Sequence, residues 1–237
     1  IAMASSTDSP GPITKNVVDA TLVTKVIAGH DTNDATTSSS KVNINLPKTK
    51  SLKGIKIALP KEYMLKEMDD KTTVVIKKAI KDLESLGARV KTISLLDPHF
   101  AISVYTIIQR SEVSSNLGRY DGVRYGNDRT HFGHEAKNRV LLGTHTLSTG
   151  YYDQYYNHSQ KVRTMMISEF NKTFKDFDLI VGPVSPGPAL KVGSTQKNPL
   201  FGEMQDILVE ASSLSGLTGL SVPCGFVDGL PIGLQIT

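Results

Sequence analysis

The chain has no tryptophan and a single cysteine, Cys224. One thiol excludes an intramolecular disulfide, so the fold has to be held by a packed core, and 237 residues are enough to bury one. Cys224 sits in the apolar run SVPCGF with no activating neighbour in sequence, and it reads as a buried structural thiol. No apolar run reaches the roughly eighteen residues of a membrane span. The start also lacks the basic region and apolar stretch of a signal peptide. Neither sign of charge is in strong excess: 27 Lys and Arg against 23 acidic residues leave only +4. The basic residues are scattered, which argues against a surface that tracks a phosphate backbone. No G-x-S-x-G elbow, phosphate-binding loop or G-x-G-x-x-G turn is present. His131-x-x-His134 has metal-like spacing, but it lies in a polar link and reads as a solvated loop, so no metal is expected.

What is there alternates helix and strand. A Ser, Gly and Pro-rich start leads to Asn16, an N-cap with Asp19 three residues on, and a helix whose apolar face runs from Val17 to Ile27 and ends at Gly29. Residues 30–53 are polar and read as a surface connection. Gly54 to Leu59 alternates as a strand stopped by Pro60, Asp70 to Leu86 is an amphipathic helix stopped by Gly87, and Ala88 to Ile93 is a second strand. A helical connection of this kind favours parallel strands. Further helices are expected over His99–Leu117, Glu135–Leu147, Tyr151–Phe174 and Leu200–Leu214. The clustered tyrosines of the third, with no Arg or Lys interleaved, read as a packing face and not a base-stacking platform. A buried strand over Asp178–Val181 enters the proline-rich GPVSPGPA, expected as a rigid wall beside a pocket, and two short strands flank a turn at Asp228-Gly229.

The densest polar stretch is Tyr105 to Gly126, YTIIQRSEVSSNLGRYDGVRYG, where an apolar-periodic helix turns into a run of hydrogen-bonding groups. SSNLGRYDGVRYG resembles the SSNLARFDGVRYG segment of the tRNA-dependent amidotransferases of the amidase signature family. The resemblance extends over ASSTDSPGPITKNVVDA, KNRVLLGTHTLSTGYYDQYYNHSQKVRT, FDLIVGPVSPGPA and SGLTGLSVPCGFVDGLPIGLQI, in the same order. It implies an α/β amidase signature fold, a mixed β-sheet covered by helices on both faces. Residues 1–237 would form the C-terminal part of a single amidase domain, incomplete at both ends, since the chain opens on Ile1 and GLPIGLQIT stops inside a strand pattern.

Such enzymes hydrolyse amides with a serine nucleophile, a second serine in a cis peptide and a lysine. None of the serines here, Ser5, Ser6, Ser114 and Ser115 included, matches that motif, so no catalytic residue is assigned and the isolated chain is expected to be inactive. The resemblance implies instead that this part recognises free glutamine. Arg139 would take the α-carboxylate and Asp206 the α-ammonium, with Tyr105 lining the same site. Taken without the resemblance, the three read as a helix-surface arginine, a helix-surface acid and a core tyrosine. Glu112 and Arg124 are placed as structural ion-pairing residues beneath the site. The ammonia released would serve a B subunit that uses ATP and magnesium to amidate Glu-tRNA(Gln) or Asp-tRNA(Asn), with a small C subunit joining the two. No cofactor is implied for this chain, tRNA contact falls mainly to the partner, and the expected location is cytoplasmic or an organelle matrix. A stand-alone amidase, or a non-catalytic scaffold for partner subunits, remains the alternative. Three departures from the family pattern stand out: a shorter link between Gly126 and Glu135, Thr218 where proline is usual, and Asn198 where aspartate is usual.

Overall fold

A computed structural model describes residues 2–194 and 204–237. Its strands are β1 (Lys56–Pro60), β2 (Arg89–Ile93), β3 (Leu179–Pro183), β4 (Leu220–Val227) and β5 (Leu230–Ile236). Its helices are α1 (Val17–Ile27), α2 (Asp70–Ser85), α3 (Pro98–Leu117), α4 (His134–Leu147), α5 (His158–Thr173) and the short α6 (Glu210–Leu214). The chain divides into two compact units, Ser9–Ser51 and the remainder, Ile1–Asp8 with Leu52–Thr237. In the smaller unit Asn16 caps α1 as its sequence predicts, its side chain accepting from the Asp19 amide at 2.9 Å. No residue of α1 is buried, so the apolar face read from its periodicity has no cover here.

The larger unit is built on one mixed sheet in the order β2-β1-β3-β5-β4. β1 pairs in parallel with β2, to which α2 connects it, and also with β3, while β5 runs antiparallel to β3 and β4. Alternation along β1 sends side chains to two different cores. Ala58 joins Ile180, Val104, Ile108, Met166 and Leu214 under α3, α5 and α6. Leu59 packs on the opposite face with Ile76, Ala79 and Ile80 of α2 and with Ile232 and Leu234 of β5. Helices therefore cover both faces, and the sheet's strand ends carry the segments that form the site.

Four details differ from the sequence reading. Pro60 is the last residue of β1 instead of the residue that stops it, because its missing N–H falls beyond the last β1–β3 pair, Ala58 with Ile180. The helix expected over Tyr151–Phe174 begins with a π turn at Tyr152–Asn157. In that wider turn residues four apart fall nearly in line, and Tyr151 and Tyr155 both face His145, with ring centroids 4.3 and 6.5 Å away. The helix expected over Leu200–Leu214 is a 3-10 turn at Met204–Asp206 followed by α6; its first residues, with Asn198, lie outside those described. Cys224 is only half-buried, though its thiol is pushed up by burial and donates to the Ile232 carbonyl at 3.4 Å. The hairpin turn follows the expectation, with Asp228 and Gly229 at φ of 50° and 80°. No helix among the described residues is long and apolar enough to cross a membrane.

Candidate functional site

The geometry of the site starts from one face of α3. Ile102, Tyr105, Thr106, Gln109 and Arg110 recur at helical spacing and together line a cleft of about 370 Å³. Arg139 reaches it from α4. Asp206 and Glu210, one helical turn apart, enter it from the segment that precedes and opens α6. The three residues singled out in sequence, Tyr105, Arg139 and Asp206, therefore meet in a single cleft although they come from widely separated segments. Gln109, Arg110 and Glu210 join them. The first and third could have been found by adding four to Tyr105 and to Asp206, because residues four apart share a helix face.

The cleft balances its charges. Two guanidinium groups, Arg110 and Arg139, face two carboxylates, Asp206 and Glu210. Arg139 is fixed by its own helix: its Nε donates to Glu135 Oε1 at 2.6 Å, four residues back. That hydrogen bond holds the Glu135 carboxyl below its ordinary range, against the opposing effect of burial and with help from the Arg139 and Arg110 charges. The Tyr105 phenol is pushed up, first by burial and then by Glu210, with Asp206 and Asp8 adding to the effect and Arg139 opposing it. Tyr105 thus stays a neutral hydroxyl, able to donate or accept. Beside the cleft, Val184, Ser185 and Gly187 to Leu190 line an open groove of about 690 Å³ that also reaches Asp206. The proline-rich segment is in this sense a wall.

A clamp behind α3 positions the chain's first residues. Ser6 donates from both its amide and its hydroxyl to Glu112, at 2.8 and 2.5 Å. Arg163 of α5 donates to the Ser6 hydroxyl and carbonyl, at 2.7 and 3.1 Å, and to the Leu214 carbonyl at 2.6 Å. Asn116 of α3 donates to the Met3 carbonyl and the Ser5 hydroxyl, at 3.1 and 2.9 Å. Neither Glu112 nor Arg124 forms the structural ion pair expected of it among the described residues. Arg124 lies exposed beyond the turn at Asp121-Gly122, and the Glu112 carboxylate is taken up by Ser6. Ser6 and Ser114 are accordingly engaged in structural hydrogen bonds, Ser114 with Thr144 at 3.2 Å. Glu112→Ala is expected to lose about 2 kcal/mol of stability, read from the denaturant midpoint, because the Ser6 amide and hydroxyl lose their charged partner together. An unchanged midpoint would show the clamp to be dispensable. Among the described residues no group of His, Cys, Asp and Glu is placed to hold a metal ion, and the exposed His131 lies against Asp128 and Thr130, at 3.3 and 3.4 Å.

The family model described as Amidase matches residues 1–237. The chain is 45% identical over 252 residues to the A subunit of glutamyl-tRNA(Gln) amidotransferase from Lactiplantibacillus plantarum, covering 100% of this chain and 52% of that protein. It is 46% identical over 254 residues to the same-named protein of Thermodesulfovibrio yellowstonii, with the same coverage. Among solved structures it is similar to the A subunit of glutamyl-tRNA(Gln) amidotransferase from Thermotoga maritima, at 36% identity and a TM-score of 0.82, over 99% of this chain and 50% of that one. The chain spans about half the length of the curated relatives it matches.

Proposed function

Because the chain belongs to the amidase family, we propose that it supplies the glutamine-recognition side of the glutaminase component of a tRNA-dependent amidotransferase. Its relatives carry that component's name, and the observation that supports the reading is the charge-balanced cleft. Free glutamine carries an ammonium and a carboxylate on one carbon. A site for it needs an acid for the first and an arginine fork for the second, and Asp206 and Arg139 border the same small volume. Tyr105 adds a neutral hydroxyl beside them. A neutral amide carries no charge complementary to either side chain, which counts against a site shaped for an ordinary amide.

In this reading the serine nucleophile, the bridging serine and the lysine are contributed from outside residues 1–237. Ammonia cut from glutamine passes to a B subunit that uses ATP and magnesium to convert Glu-tRNA(Gln) to Gln-tRNA(Gln), or Asp-tRNA(Asn) to Asn-tRNA(Asn). A C subunit joins the two, tRNA is held mainly by the partner, and the assembly works in the cytoplasm. The test is ammonia release from glutamine by this chain alone and after addition of a separately expressed polypeptide carrying the serine and lysine motif. Activity is expected only in the mixture, and Arg139→Ala or Asp206→Ala is expected to abolish it. Release by the chain alone, or activity untouched by either substitution, would overturn the assignment.

A further inference from the structure

Two buried side-chain atoms lack a hydrogen-bond partner among the described residues: Ser215 Oγ and Gln109 Nε2. Only the second belongs to a residue that lines the cleft. Gln109 is 2% exposed and sits in the middle of α3, between Ile108, which is fully buried in the core, and Arg110, which borders the same cleft. A carboxamide in that position is expensive. Leucine would fill the same volume beside Ile102, Val104, Ile108 and Val113, which the same helix buries, and would leave no orphan donor. The residue makes sense if the missing partner is a ligand, present only when the cleft is filled.

We propose that Gln109 is a further specificity-determining residue of the cleft, donating from Nε2 to the α-carboxylate of the bound amino acid alongside Arg139. The inference rests on the glutamine reading and deepens it. Its direction follows from the surroundings. Arg139 commits its Nε to Glu135, and a paired contact from its two remaining nitrogens fills only two of the roughly four acceptor sites of a carboxylate. The anion is drawn toward the side of the cleft where Arg110 and Arg139 stand, and Gln109 is Arg110's neighbour on α3. A neutral donor there adds a hydrogen bond without adding a third positive charge to a cleft whose charges are otherwise balanced. It also fixes the plane of the carboxylate, because an amide N–H has a defined direction where a bare charge has none.

The experiment measures binding of L-glutamine and of L-glutaminol, which carries CH2OH in place of the carboxylate, to the wild-type chain and to Gln109→Leu, Gln109→Glu and Arg139→Ala. Melting temperatures are recorded for each. Gln109→Leu is expected to weaken glutamine by about ten- to a hundredfold, as loss of a hydrogen bond to a charged group does, and to leave glutaminol unchanged. The same substitution is expected to raise the melting temperature, because it removes an orphaned buried donor; a merely structural glutamine would lower it. Gln109→Glu, which sets one carboxylate against another, is expected to weaken glutamine further. If Gln109→Leu binds glutamine like the wild type while Arg139→Ala does not, the role of Gln109 is overturned and the glutamine site stands. If the wild-type chain binds no glutamine, the site reading fails and takes this inference with it.

Discussion

Gly143→Ala is expected to lower the stability of the chain by about 3 kcal/mol or more and, in what remains folded, to remove Arg139 from the cleft. A Cβ built on Gly143 would lie 1.9 Å from the Arg110 carbonyl oxygen, 2.6 Å from its carbon and 2.6 Å from the Ser114 Cβ. Two of those atoms are helix backbone, which cannot step aside as a side-chain tip can. Either α4 lifts from α3 or α3 bends. Lifting would also part the hydroxyl pairs that bridge the two helices, Ser111 with Thr146 at 2.7 Å and Ser114 with Thr144 at 3.2 Å. Gly143 lies four residues after Arg139 in KNRVLLG, so the glycine that permits close approach and the arginine that lines the cleft share one face of α4. Loss of packing and loss of ligand should therefore come together.

Gly133→Ala is the control. It stands at the N-cap of the same helix with nothing within 4 Å of its would-be Cβ, and it is expected to cost no more than about 1 kcal/mol, the cap preference of glycine over alanine. Denaturant midpoints and glutamine titrations of the two variants separate them. A Gly143→Ala chain with the wild-type midpoint and affinity would mean that the α3–α4 contact does not set the position of Arg139.

Most elements could be read from the sequence because the signals that specify them are local. Asn16 and Asp69 cap the helices that follow, Gly87 ends α2 at a φ of 102°, and Asp228-Gly229 sits at the hairpin where two alternating runs meet. Parallel pairing of β1 with β2 followed from the length of the connection between them. Where local signals competed with tertiary ones, the sequence misled. Proline argued against Pro60 in a strand, but a ladder's last residue has no further N–H to give. Helical periodicity through Tyr151–Phe174 hid the π turn, which is set by the packing of Tyr151 and Tyr155 against a histidine from α4.

The site was legible in a different way. Neither spacing nor composition connects Tyr105, Arg139 and Asp206; they were named through resemblance to other amidases, and only the fold brings them to one cleft. Gln109 escaped notice because a glutamine inside an apolar helix gives no sign in sequence of whether its amide is partnered. Glu210 escaped because an acid four residues past Asp206 reads as one more helix-surface carboxylate until the fold turns both to the cleft. Glu112 was read as an ion-pairing residue, since a serine hydroxyl more than a hundred positions away cannot be ranked against an arginine twelve positions away without the fold.

Arg139→Lys is expected to weaken glutamine by about ten- to a hundredfold although it keeps the positive charge. The reason lies in how Arg139 is held. Its Nε–H donates to Glu135 at 2.6 Å, and this bond orients the rest of the planar fork toward the cleft. A lysine ammonium is one point of charge, and if it turns to Glu135 it leaves the ligand. The pH dependence separates orientation from charge. Glu135 has its carboxyl depressed chiefly by the Arg139 hydrogen bond, so it stays ionised below its ordinary value of 4.5 and takes up a proton only as pH falls through the depressed value. Glu135 is therefore expected to add no pH dependence to wild-type glutamine affinity from neutral pH down through the ordinary glutamate range. In Arg139→Lys the directed hydrogen bond is lost, the Glu135 carboxyl moves back up toward its ordinary range, and affinity is expected to begin falling at a higher pH than in the wild type. Titrations of both proteins with glutamine between about pH 4 and 8 read the difference directly. A lysine variant that matched the wild type at every pH would reduce Arg139 to a source of charge and remove Glu135 from any part in aiming it.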